Sequence, residues 1–242
     1  MLSENPQTIV ALANRILARE GVLDAFGHIS LRHPTKPERF FLARSLAPEL
    51  VTQQDVLEYE LTGEPVAPTE FAHYSERVIH SAIYRARDDI NAICHHHSVA
   101  MMPFCLTEIK LRVVTQLGAT IGAVVPLWDQ RVEFGASNHL VTREVEATSL
   151  ARALGSNNLV LMKRHGATVV GRNLRELVFR SIYSCRDADL QLRALNYGEI
   201  SAFTDEEVKL AEKFPETTMR RAWDYWRSRL PDQNVDQKNP GA

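Results

Sequence analysis

The segment Cys94-His95-His96-His97-Ser98 puts three consecutive imidazoles in one short stretch, with Glu76 and His80 upstream and a solitary His165-Gly166 far downstream. Neutral imidazole is the commonest ligand for divalent transition metals, and three such ligands leave coordination positions open for a substrate. On an extended strand alternate side chains share a face, so His95 and His97 point one way and His96 the other. Two ligands are therefore preorganised, and His165 supplies a third, because a turn residue followed by Gly166 lets the backbone approach a crowded site closely. His96 is left to packing or to supporting the site. The chemistry expected of such a centre is enzymatic: a Lewis acid facing open positions polarises a substrate oxygen.

These side chains need a framework, and the hydrophobic periodicity supplies one. Asn5-Pro6 is a helix start, followed by Ile9, Val10, Leu12, Ala13, Ile16 and Leu17 at helical spacing up to Gly21. Strands are expected at 28–33, 40–44 and 56–61, punctuated by Pro34, Pro37, Pro48 and Thr62-Gly63. The spacing of Phe71, Tyr74, Val78, Ile79, Ala82 and Ile83 predicts a helix over 69–87, with Glu76 and His80 four apart on one face. A strand over 90–97 then carries the histidines, and Ser98 caps a short helix to Phe104. A helix from Thr142 to Gly155 and strands at 159–163 and 167–170 flank His165-Gly166. The longest helix starts at the Asn173 cap and runs towards Tyr197-Gly198. Helices over 205–214 and 217–230 follow, and the polar stretch 231–242 reads as a frayed tail. Strands alternating with helices indicate one α/β domain over 1–230, a sheet covered by helices.

Composition narrows the function. With 28 basic residues against 30 acidic, there is no broad electrostatic patch for nucleic acid or an anionic membrane. No apolar run reaches the roughly 20 residues of a membrane span, and the start lacks the features of a signal peptide, so a cytoplasmic protein is expected. Cys94, Cys105 and Cys185 show no paired spacing and read as reduced, buried thiols. There is no Gly-x-Gly-x-x-Gly and no phosphate-binding Gly-Lys-Ser/Thr loop, so nucleotide binding has no anchor.

The order Glu76-x-x-x-His80, His95-x-His97, Arg164-His165-Gly166 resembles the class II aldolase/adducin family, and the likeness extends from Gly27-His28-Ile29-Ser30 to about Tyr197. The resemblance implies a three-layer α/β/α sandwich of the class II aldolase type. It implies one divalent metal per subunit on His95, His97 and His165, with Glu76 as the catalytic acid/base. It also implies a homotetramer with active sites between neighbours. Zinc or manganese is the expected ion, and iron or cobalt also suits three nitrogens.

Family members that act on sugar phosphates cradle the phosphate with small residues and hydroxyls. Here Ser45-Leu46 and Tyr74-Ser75 stand at those places, and bulk replaces most of the cradle. The stretches Asp24-Ala25-Phe26-Gly27-His28-Ile29-Ser30 and Ala43-Arg44-Ser45-Leu46-Ala47-Pro48 resemble instead the branch that decarboxylates hydroxy-methylpyridine dicarboxylates and dihydroxyphthalates. A hydroxyl beside a carboxylate on such a ring can chelate one cation. His28 and Arg44 are then candidate carboxylate partners, and Ser45 and Ser75 further substrate contacts. The alternatives are an aldolase or epimerase acting on a hydroxy-carbonyl compound or sugar phosphate, and an adducin-like assembly domain, against which the retained histidines and Glu76 argue.

Overall fold

Side-chain alternation on a central sheet determines the architecture. The structure, a computed structural model, describes residues 5–231; of the tail expected over 231–242, only Pro231 falls within them. The elements are α1 (Pro6–Arg19), β1 (His28–Arg32), β2 (Arg39–Ala43), β3 (Val56–Glu60), α2 (Arg77–Ala86), β4 (Ala92–His96), α3 (Met102–Leu106), β5 (Leu127–Trp128), α4 (Gln130–Phe134), α5 (Glu144–Leu154), β6 (Leu159–Met162), β7 (Gly166–Gly171), α6 (Leu174–Leu195), α7 (Asp205–Ala211) and α8 (Glu216–Ser228). The seven strands lie in the order β3-β2-β1-β4-β7-β6-β5. All neighbours are antiparallel except β5 and β6.

Successive strand residues enter opposite cores. Ile29, Cys94, Leu161 and Val169 pack with Leu12 and Ile16 of α1, Val178 and Ile182 of α6, and Trp223 and Trp226 of α8. Their neighbours Ile93, Val160 and Val170 pack with Ile79 and Ile83 of α2 and Leu150 and Leu154 of α5. Both faces of the sheet are thereby covered, which is the expected three-layer α/β/α sandwich. The three cysteines are buried and free, as their spacing implies. Among the described residues no helix is long and apolar enough to cross a membrane.

Several boundaries differ from those expected, each for a local reason. The helix anticipated over 69–87 begins only at Arg77, with Glu76 as its N-cap residue. The preceding stretch is instead tied to the β2 loop: the Ser45 N–H donates to the Ala72 carbonyl at 2.8 Å, and the Tyr74 hydroxyl donates to the Leu46 carbonyl. Tertiary bonds here override local periodicity. α5 starts at Glu144 rather than Thr142, because the Glu146 carboxylate folds back to accept the N–H groups of Thr142 and Arg143. β4 ends at His96, so His97 lies just past the strand. The two-residue β5 and five-residue α4 were not anticipated, being too short to show a period.

β6 and β7 form a hairpin joined by Lys163, Arg164 and His165, with Arg164 in the left-handed region (φ 65°) and ion-paired to Asp129. At Gly166 the hairpin presses against β4. A Cβ there would lie 2.3 Å from the His96 carbonyl oxygen and 2.9 Å from the His97 ring. Gly166→Ala should therefore force the strands apart and lower the unfolding free energy by about 1–3 kcal/mol, measured by urea denaturation. A wild-type midpoint would show that β4 and β7 can separate freely.

Candidate metal centre

The end of β4 and the starts of β1 and β7 share one edge of the sheet, because both neighbours run antiparallel to β4, with His28 opposite His95 and Ala167 opposite His96. His95 belongs to the α2 side of the sheet, two residues beyond Ile93. The turn before β7 carries His165 to the same place. His97 Nε2 lies 3.1 Å from His95 Nε2 and 3.1 Å from His165 Nε2. Glu76 enters from the N-terminus of α2, with Oε2 3.6 Å from His95 Nε2 and Oε1 3.6 Å from His165 Nε2. One ligand atom from each of the four residues lies within 4.8 Å of all the others.

The donor set fits a divalent transition metal. Nitrogens bound to one ion at about 2.0–2.1 Å sit roughly 2.9–3.4 Å apart, and both separations from His97 Nε2 fall in that range. The hydrogen bonding of His95 agrees. Thr168 Oγ1 donates to the Met162 sulfur at 3.5 Å, so it accepts from His95 Nδ1 at 3.2 Å. With the His95 proton on Nδ1 in this arrangement, the Nε2 lone pair is left aimed into the cluster. The Glu76 carboxylate is oriented by the Val141 N–H, which donates to Oε1 at 2.8 Å. Glu76, expected as an acid/base alone, is thus also placed as a possible fourth ligand.

Burial disfavours the charged forms of five histidines in this region. His95 is held well below the usual imidazole range, first by burial and then by the neighbouring His165, His28 and His97. Burial, with His165 second, also lowers His97. His28 is pushed well down by burial and by His80. His80 and His96 fall to about 3 through burial.

Glu76 and His97 line a cavity of about 460 Å³ together with Phe26, His28, Ser45, Leu46, His73, Tyr74, Ser75 and Leu140. Of the expected substrate contacts, His28, Ser45 and Ser75 are brought to this cavity. Arg44 is not among its lining residues; its guanidinium is paired with Asp55 at 2.6 Å and lies over the Phe71 ring. A larger cavity of about 690 Å³, near Pro6, Leu174 and Trp223, holds none of the cluster. Sequence reasoning missed Thr168 and Val141. The first could have been found from the hairpin register opposite His95; the second has no sequence signal, since it acts through its backbone.

Residues 7–192 match the family model for the class II aldolase and adducin N-terminal domain. The chain belongs to this family. It is 29% identical over 235 residues to Decarboxylase tropJ of Talaromyces stipitatus, covering 87% of this chain and 88% of that protein. It is 28% identical over 204 residues to the 3,4-dihydroxyphthalate decarboxylase of Arthrobacter keyseri, covering 78% of each. In fold it is similar to an aldolase II superfamily protein of Pseudomonas syringae (TM-score 0.79, 20% identity, 96% of this chain and 94% of that one). It is likewise similar to the L-fuculose 1-phosphate aldolase of Glaciozyma antarctica (TM-score 0.76, 22% identity, 92% and 87%).

The depressed histidines have a consequence for stability. Unfolded, His80 and His96 titrate near 6.5; folded, near 3. Their contribution is fully present above about pH 6.5 and is lost as pH falls towards 3, because the unfolded chain binds protons that the folded chain refuses. In metal-free protein the unfolding free energy from urea denaturation should fall steadily below pH 6.5, by up to about 1.4 kcal/mol per pH unit for each histidine. His96→Leu should flatten the slope. A midpoint independent of pH between 7 and 5 would contradict this account.

Proposed function

We propose that the protein is a divalent-metal-dependent lyase that decarboxylates a hydroxylated aromatic or pyridine dicarboxylate. The observation that carries this reading is the pairing of a three-histidine, one-glutamate cluster with a cavity walled by Phe26, Leu46, Tyr74 and Leu140. The names of the tropJ and 3,4-dihydroxyphthalate relatives support the same reaction class. A cation held by His95, His97 and His165, with Glu76 beside it, would supply a Lewis acid to a substrate hydroxyl and adjacent carboxylate, with zinc or manganese expected and iron or cobalt also compatible.

The chain's own groups do the rest. Glu76 is the proton carrier: with Oε1 anchored by Val141, Oε2 can deliver a proton, directly or through a water, to the ring carbon bearing the departing carboxylate. That carbon gains hydrogen as its bond to the carboxylate breaks, carbon dioxide leaves, and the bonding pair returns to the ring. His28, Ser45 and Ser75 offer contacts to the substrate's oxygens. Arg44, occupied by Asp55, holds the β2 loop instead. The Tyr74 hydroxyl is spent on the Leu46 carbonyl and pushed up by burial to about 12, so it is a neutral wall and no phosphate donor.

The proposal includes a tetramer. Phe26 and Leu140 are large exposed apolar residues on the cavity lining, a surface that a neighbouring subunit would cover.

Incubating metal-loaded protein with 3,4-dihydroxyphthalate, hydroxypyridine dicarboxylates and sugar phosphates tests the reading. Release of carbon dioxide from the aromatic acids alone is expected; an aldehyde from a sugar phosphate alone would overturn it. His97→Ala should lose both bound metal and turnover. Glu76→Gln should keep most of the metal, by elemental analysis, while kcat falls by about 10²- to 10³-fold; full activity in that variant would remove Glu76 from proton transfer.

A further inference from the structure

A chain of buried side chains runs from the cavity into the protein between β1 and α2. His28 Nδ1 is 2.6 Å from His80 Nε2, His80 Nδ1 is 2.6 Å from Ser30 Oγ, and Ser30 Oγ is 2.7 Å from the Tyr84 hydroxyl. All four residues are buried, none more than 3% exposed. Register explains the assembly. His28 and Ser30 alternate around Ile29 and so face α2 together, where His80 and Tyr84 stand one helical turn apart. Neither the metal cluster nor the proton carrier uses these groups.

The direction of the hydrogen bonds follows from the far end. The Tyr84 hydroxyl has two possible acceptors, Ser30 Oγ at 2.7 Å and the Asn91 carbonyl at 3.4 Å. The second exceeds the usual O–H···O range, so the proton goes to Ser30. The guanidinium of Arg32, 4.6 Å from the Tyr84 ring centroid, further favours Tyr84 as donor. Ser30 must then donate to His80 Nδ1, which leaves the His80 proton on Nε2, and His80 Nε2–H must donate to His28 Nδ1. A neutral His28 consequently carries its only proton on Nε2. That nitrogen has no hydrogen-bond partner among the described residues, and the residue lines the cavity.

We propose that Tyr84, Ser30 and His80 are positioning residues that fix the Nε2–H tautomer of His28 and present it to the cavity as a hydrogen-bond donor for an anionic substrate oxygen. This rests on the reading of the cavity as a carboxylate site. The proton count is closed, because the Tyr84 hydroxyl at the far end gives its single proton to Ser30. The chain therefore orients His28 and does not feed protons to the reaction. A donor fixed in this way favours a carboxylate over a neutral hydroxyl of the same shape, since the carboxylate can only accept.

Imidazole ¹⁵N chemical shifts of the substrate-free, zinc-loaded protein read the tautomers directly. His28 and His80 both protonated at Nε2 is the expected result; a proton on His28 Nδ1 would overturn the proposal whatever the substrate. Ser30→Ala removes the donor to His80 and should mix both tautomers. It should raise KM for 3,4-dihydroxyphthalate about tenfold while kcat changes less than about threefold, and Ser30→Thr should restore both. A mixed tautomer with unchanged KM would remove His28 from substrate binding and overturn the donor role. Loss of bound zinc in Ser30→Ala would make the chain a scaffold for the ligands and likewise overturn it. Absence of any turnover of dihydroxyphthalate, with Nε2–H intact, would count against the decarboxylase reading alone.

Discussion

The centre depends on the close approach of β4 to the β6–β7 hairpin at Gly166. Three imidazoles gathered on one point cannot come from one strand, since alternation supplies only His95 and the next residue on its side, His97, their Nε2 atoms 3.1 Å apart. The third has to arrive on a separate turn, and the space left by a missing Cβ against the His96 carbonyl lets that turn come near enough. The left-handed Arg164 and its ion pair with Asp129 are the local cost and the local anchor of the same turn. At Gly27, a positive φ and a Cβ position 2.8 Å from the His95 carbonyl oxygen repeat the arrangement on the β1 side.

That convergence has an energetic consequence. Four histidines, His28, His80, His95 and His96, are almost completely excluded from water, and burial favours their neutral forms. Neutrality is what a metal ligand and a tautomer-defined donor both require. The same burial makes the fold sensitive to acid, because the unfolded chain offers protons a better home. Function and stability draw on one environment here, and a more open site would relieve the second at the expense of the first.

Much of this was legible in the chain, and the rest was not for definable reasons. The helix caps at Asn5 and Asn173, the strand carrying His95 and the turn at His165-Gly166 are local signals, and each holds in the structure. The three-layer fold and the gathering of Glu76 with the histidines came from the family resemblance joined to strand alternation. The start of α2 was misjudged because Phe71 and Tyr74 keep a helical period while their backbone is held by the β2 loop. The likeness of its stretch to the decarboxylase branch and its charge make Arg44 a candidate carboxylate partner; in the structure Asp55, eleven residues on, pairs with it. The Val141 contact to Glu76 is a backbone bond across the fold and leaves no trace in side-chain chemistry.

The late start of α2 bears directly on what the cavity can admit. Had the helix run from Thr69, Tyr74 and Ser75 would sit on its surface, and the wall opposite the cluster would be missing. With the segment non-helical up to Glu76, the Tyr74 hydroxyl closes on the Leu46 carbonyl and its ring packs 4.6 Å from that of His28, centroid to centroid. Two unbonded hydroxyl-bearing residues at these places would have offered donors to a phosphate; one ring and one isobutyl group offer a flat apolar surface. A planar substrate can lie against such a wall with its acidic edge towards His28 and the cluster, whereas a phosphate set against the Tyr74 ring and the Leu46 side chain would lose water and gain no donor from either.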